Sequence, residues 1–205
     1  MRDIMTRLFA VLTSLVLLVG CGGPGAIDRL PPPLGDFKLG HNIVVTKKMQ
    51  KGPVSREASQ EEWKSTLTAA IADRFGRYDG EGLYHLGISV EGYMLAPKGV
   101  PLIYTPKSAL ILNVTVWEDS KARKLNESPY QMTIFESTNE DSLFIGSGWG
   151  RDKDEQLVGL SFNATRALEA WLVEQHEELG WFTADAQVAP KGHFKSERAP
   201  VGGDT

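Results

Sequence analysis

Apolar residues change period several times along the chain, and the changes mark its elements. Residues 8–19 are apolar except for Thr13 and Ser14, and Arg2 and Arg7 precede them. "NIVVT" at 42–46 is a short β-branched run that predicts a first strand. Ser59 and Glu62 then form an S-x-x-E capping box, and Trp63, Leu67, Ala70, Ile71 and Phe75 follow on one helical face. Gly76 is placed to end that helix.

From Tyr84 the period becomes two. Tyr84, Leu86, Ile88, Val90 and Met94 fall on one face of a second strand, with His85, Ser89, Glu91 and Tyr93 on the other. A third strand sets Leu110, Leu112, Val114 and Val116 against Ile111, Asn113, Thr115 and Trp117. A fourth runs through Tyr130, Met132 and Ile134, joined to the third by the polar connection "DSKARKLNESP". "LFIGSGW" suggests a short fifth strand with a bulge or an edge. Helical spacing returns at about 154–179 through Leu157, Leu160, Ala164, Leu168, Trp171 and Leu172; Asp152 and Asp154 suit its positive end and Gly180 its stop.

This order predicts an α+β two-layer sandwich: a mainly antiparallel meander sheet of four to five strands with two helices packed on one face. The first two strands are expected to be parallel, joined through the first helix by a right-handed crossover. The expected divisions are a cleaved signal peptide at 1–20, a Gly/Pro-rich tether at 21–41 containing Pro31–Pro33, a globular domain at 42–188 and a disordered tail at 189–205.

Composition narrows the class. The chain of 205 residues is 41% hydrophobic and 23% charged, ordinary values for a water-folded domain. Its formal charge of -4 lacks the basic footprint of a nucleic-acid binder, so no nucleic-acid partner is expected. The amino-terminal apolar run is too short to cross a bilayer as a helix and has the layout of a secretory signal.

The one cysteine, Cys21, closes that run after Leu18, Val19 and Gly20. Leu-Val-Gly-Cys resembles the lipobox of bacterial lipoproteins. The resemblance implies cleavage between Gly20 and Cys21, a diacylglycerol on the Cys21 sulfur and an acyl chain on its amine, hence attachment to the membrane. It also implies export to the cell envelope. Gly22, rather than Asp, stands where many Gram-negative lipoproteins carry the inner-membrane retention signal, which favours the outer membrane, facing the periplasm.

The remaining chemistry is sparse. "GSGWG" at 146–150 places its serine at the wrong offset for a nucleophile elbow and lacks both phosphate-loop and dinucleotide spacing; it reads as a turn. His41, His85, His176 and His193 show no metal-ligand spacing and suit surface roles. Arg74, Arg77, Tyr78, Asp79 and Glu81 crowd a glycine-rich helix-to-strand turn, while Lys121, Arg123 and Lys124 suit a solvated loop or a headgroup contact. Asn113, Asn126 and Asn163 begin sequons to which a bacterial lipobox gives little weight. Trp117, Phe135, Trp149, Trp181 and Phe182 either complete the core or form an exposed patch. No catalytic residue, cofactor or metal site is predicted.

Together, lipobox, tether and small α+β domain resemble small uncharacterised envelope lipoproteins and, loosely, the auxiliary lipoproteins of ABC-type transport systems. The resemblance implies a noncatalytic adaptor or auxiliary factor in envelope transport or assembly, with an envelope protein as partner. A module binding lipid or another hydrophobic ligand is the alternative, and an envelope hydrolase using a fold-assembled acid pair a third.

Overall fold

The computed structural model describes residues 30–97, 107–136, 152–194 and 197–198. The elements are β1 (Phe37–Val45), β2 (Gln50–Lys51), α1 (Gln60–Phe75), β3 (Gly82–Met94), β4 (Ala109–Glu118), β5 (Arg123–Lys124), β6 (Tyr130–Phe135), α2 (Lys153–Leu179) and β7 (Glu197–Arg198). They form one sheet in the order β1-β3-β4-β6-β7, with β2 against β3 and β5 against β4. The β3–β4–β6 centre is an antiparallel meander, and β1 is parallel to β3 with α1 between them in sequence.

Alternation decides the layers. Leu86, Ile88, Leu112, Val114, Met132 and Ile134 are buried on one sheet face against Trp63, Leu67 and Ile71 of α1 and Leu160, Ala164 and Leu168 of α2. The described helices therefore share one face of an α+β sandwich, as the periodicities predict. Both begin with complete capping boxes, Ser59 with Glu62 and Asp152 with Glu155, and Gly180 ends α2 at a left-handed φ of 64°.

Several details depart from the sequence reading. The first strand starts at Phe37 rather than Asn42, and Leu34 is buried, so part of the stretch read as tether belongs to the folded domain. The cause is an aromatic cluster: the Phe37 ring lies 5.0 Å from Phe182 and 5.8 Å from Tyr84. Here two apolar side chains outweigh the Gly/Pro composition around them.

In β3 the register shifts between Val90 and Gly92. This bulge turns Tyr93 into the core, beside Trp63 at 5.4 Å, where strict alternation sets Met94. The expected tail is also packed in its first part. Ala189 is buried and bridges Asn126, Phe194 lies 5.3 Å from Trp171, and Glu197–Arg198 pair with Met132–Thr133. The proposed fifth strand in "LFIGSGW" and the "GSGWG" turn lie outside the described residues.

Candidate functional site

The sandwich has one end where most of its charged chemistry collects: the start of β1 and β3, the end of β4, and the carboxyl-terminal parts of both helices. Register places Phe37 beside Gly82 and Tyr84 beside Glu118 there.

Arg74 and Glu169, from α1 and α2, meet between the helices with only 6% and 8% of their surfaces exposed. Arg74 donates from NH1 to Glu169 Oε2 at 2.8 Å and from Nε to Thr165 Oγ1 at 3.1 Å. Tyr78 donates its hydroxyl to Glu169 Oε1 at 2.9 Å, and Arg77 NH2 reaches the same oxygen at 3.4 Å. Burial and the Glu169 charge push the Tyr78 hydroxyl far above its ordinary range. Arg74, Arg77 and Tyr78 of the turn cluster thus form an internal tie between the helices.

Glu118 is the second buried carboxylate. It accepts hydrogen bonds from Arg123 Nε at 2.7 Å and forms an ion pair with Lys121 Nζ at 2.9 Å. Burial opposes its charge, but the hydrogen bonds from Lys121 and Arg123 outweigh burial and hold its carboxyl below the ordinary value. Both bases also donate to the chain beyond α2, Lys121 to the Ala184 carbonyl and Arg123 to that of Ala186. Two of the three cations considered for headgroup contact are therefore engaged within the domain. Lys124 instead lies 5.3 Å over the ring of Trp117.

The third cluster is on the open sheet face. The His85 ring stacks on His41 at 4.8 Å, accepts the His41 backbone N–H at Nδ1 (2.8 Å) and faces Asp119 Oδ1 from Nε2 (2.9 Å). An accepting Nδ1 assigns the proton of the neutral ring to Nε2, which donates to Asp119. Both nitrogens are engaged, so this His–Asp pair has no free lone pair with which to activate a hydroxyl. His176 contacts the Trp181 carbonyl, and His193 lies beside Phe194. Among the described residues no group of three or more His, Cys, Asp or Glu side chains is placed to hold a metal.

The aromatic candidates separate clearly. Trp181 and Phe182 are core, Phe135 is half-buried and Trp117 is 40% exposed. Trp149 lies outside the described residues, as do Gly20 and Cys21. Between helices and sheet, Leu67, Ile71, Ile88, Leu112, Met132 and Leu168 help line an apolar cavity of about 10 Å³. That leaves room for about one water molecule and none for an acyl chain.

The sequence reading missed the roles of Glu118, Glu169 and Asn126. Glu118 continues the 110-112-114-116 register into the buried face, and Glu169 follows Thr165 by four residues beside the apolar stripe. Those offsets were the available signal. Asn126 is fully buried: its Oδ1 accepts Val116 N–H, and its Nδ2 donates to the Val114 and Ser128 carbonyls. That position excludes it as a glycan acceptor in the folded chain.

The other sheet face carries Gly87, Ser89, Asn113, Thr115 and Thr133, all partly accessible, with Ile43, Val45, Leu83 and Trp117 more exposed around them. Neither described helix packs on it. No described helix is long and apolar enough to cross a membrane.

No protein-family model and no curated protein matches the chain. Among solved structures it is similar to a Xanthomonas campestris protein of the DUF330 family, at 14% identity over 72% of this chain and 94% of that one, with a TM-score of 0.42. It is also similar to a minor lipoprotein of Acinetobacter baumannii, at 18% identity over 62% of this chain and 92% of that one, with a TM-score of 0.25. Likenesses this distant assign neither a family nor an activity.

Proposed function

We propose that the chain is a lipid-anchored protein of the bacterial envelope whose domain is a noncatalytic adaptor or auxiliary factor in envelope transport or assembly. The observation that carries the reading is Leu18-Val19-Gly20-Cys21, a lipobox that ends at the one cysteine of the chain. Gly22 favours the outer membrane and its periplasmic side.

The folded boundary at Leu34 adds a distance. Residues 21–33 separate the anchor from Leu34, the first buried side chain among the described residues, and even fully extended they span about 45 Å. A domain so tethered works close to the bilayer, within reach of membrane-bound partners. An open sheet face beside internally satisfied charges suits binding better than acid–base chemistry. The water-sized cavity favours this reading over a module that encloses lipid.

Two experiments test the reading. Radiolabelled palmitate with globomycin is expected to show label on the wild type and none on Cys21→Ser; an unlabelled wild type, or label retained by the variant, overturns the lipid anchor. Crosslinking and pulldown from membranes is expected to recover a reproducible envelope protein, and recovery of none overturns the adaptor role.

A further inference from the structure

β1 is the outer strand of the sheet, and it is unusually unguarded. Past an isolated bridge between Lys38 and Asp79, it pairs only with β3 among the described residues. Alternate residues of such a strand turn their N–H and C=O groups away from the sheet, where an added strand can bond them. The opposite margin is treated differently: β7 covers Met132–Thr133 of β6.

Side chains along β1 add selectivity. Ile43 and Val45 point to the open face with 56% and 48% of their surfaces exposed, opposite Gly87 and Ser89. Edge strands usually carry a charge or a proline at such places; residues 42–46 have neither. The charge lies at the two ends. In a chain of net charge -4, residues 38–51 contain Lys38, Lys47, Lys48 and Lys51 and no acid. Lys51 pairs with Glu57, whereas Lys38, Lys47 and Lys48 are exposed and form no ion pair with a described residue.

We propose that β1 is a docking edge for an extended, acidic segment of a partner protein. The segment adds as a strand along Asn42–Val45, past the irregularity that shifts the β1 register between Leu39 and Asn42, lays alternate apolar side chains beside Ile43 and Val45, and sets carboxylates against Lys38, Lys47 and Lys48. A second copy of this chain fits poorly. The antiparallel register that sets Ile43 of one copy against Ile43 of the other brings Lys48 of each opposite Lys38 of its partner, and like charges facing across strands repel. The proposal rests on the adaptor reading and names its partner's chemistry.

The test uses the full chain in detergent and two synthetic peptides sharing a Val-Thr-Val-Thr-Val centre, one flanked by aspartates and the other by lysines. Fluorescence anisotropy is expected to show the aspartate peptide binding about tenfold tighter or better, as complementary charge requires. Amide exchange is expected to slow within residues 42–45. Lys47→Glu with Lys48→Glu, both exposed, is expected to invert the preference while leaving the unfolding temperature unchanged. Equal affinities, no binding of either peptide, a preference unmoved by the charge reversal, or protection confined to other segments overturns the proposal. The membrane crosslink separates the two readings: a partner captured away from β1 keeps the adaptor role and removes this edge from it.

Discussion

Glu169→Gln is the sharpest test of how the two helices are held. The side chain changes little in volume, but the buried Arg74 guanidinium loses the carboxylate 2.8 Å away, and Tyr78 loses its charged acceptor. Breaking one side of a buried ion pair costs about 3–5 kcal/mol. The amide retains one oxygen as an acceptor, so the lower end, about 3 kcal/mol, is expected. For a domain of this size each kcal/mol shifts Tm by about 2–4 °C, which predicts a fall of about 6–12 °C in a thermal melt of the full chain. Arg74→Met leaves Arg77 and Tyr78 as donors to the carboxylate and is expected to cost less than Glu169→Gln. Combined in Arg74→Met/Glu169→Leu, the losses are expected to be strongly subadditive, because an apolar pair replaces both charges. A fall of under about 2 °C for Glu169→Gln, or simple additivity in the double variant, refutes the network as the tie between α1 and α2.

Asn126→Ala removes an amide that bonds Val114, Val116 and Ser128, and at about 1–3 kcal/mol per orphaned buried group it is expected to destabilise by at least about 2 kcal/mol in urea unfolding. Glu62 has its carboxyl pulled down to about 2 by the hydrogen bond from Lys153, with the Ser59 backbone and hydroxyl adding to it. A folded value below the unfolded 4.5 means that its stabilisation is complete above pH 4.5 and disappears as pH falls toward 2. Lys153→Gln should therefore flatten the pH dependence of stability in that window, an effect kept modest by solvent exposure. His85 is expected to show the Nε2–H tautomer by ¹⁵N NMR at neutral pH, and an Nδ1–H ring would contradict the bond from the His41 amide.

The sandwich was legible because its signals are local and agree with one another. Strict alternation in β4, helical spacing after Ser59 and the glycine at 180 all state the same element that packing then uses. Composition misled where a few side chains decide. Leu34 and Phe37 stand in a Gly/Pro-rich stretch, and only the distant Tyr84 and Phe182 make them core. The Val90–Gly92 bulge was hidden for a related reason: one extra residue reverses which faces are buried, and nothing in the local pattern announces it. Of the candidate groups, Arg74, Arg77 and Tyr78 were visible as a cluster, but their shared acceptor lies more than ninety residues away. Convergence at that separation is a property of the helix packing and leaves no mark in a window of sequence.

In the lipid-anchored reading the positions of these ties matter. The Phe182 carbonyl accepts from Asp36 N–H, the Asp36 carbonyl from Gly82 N–H, and Gly80 N–H donates to the Phe37 carbonyl. A side chain at Gly80 would put its Cβ 2.3 Å from the Asp36 carbonyl carbon, so this crossing of backbones needs glycine. The Arg74–Glu169 and Arg123–Glu118 pairs and the His41–His85–Asp119 cluster lie at the same end. In the lipid-anchored reading, any pull from the membrane enters through Leu34. It meets there bonds from β1 to the chain after α2, from β1 to β3, and from the β4–β5 hairpin to the chain after α2. Such cross-links share a load among elements far apart in sequence, whereas an end strand held by β3 alone would peel one bond at a time. In that reading the end nearest the anchor is the end best built to keep the sheet intact, and the proposed docking run of β1, Asn42–Val45, lies past the register shift between Leu39 and Asn42.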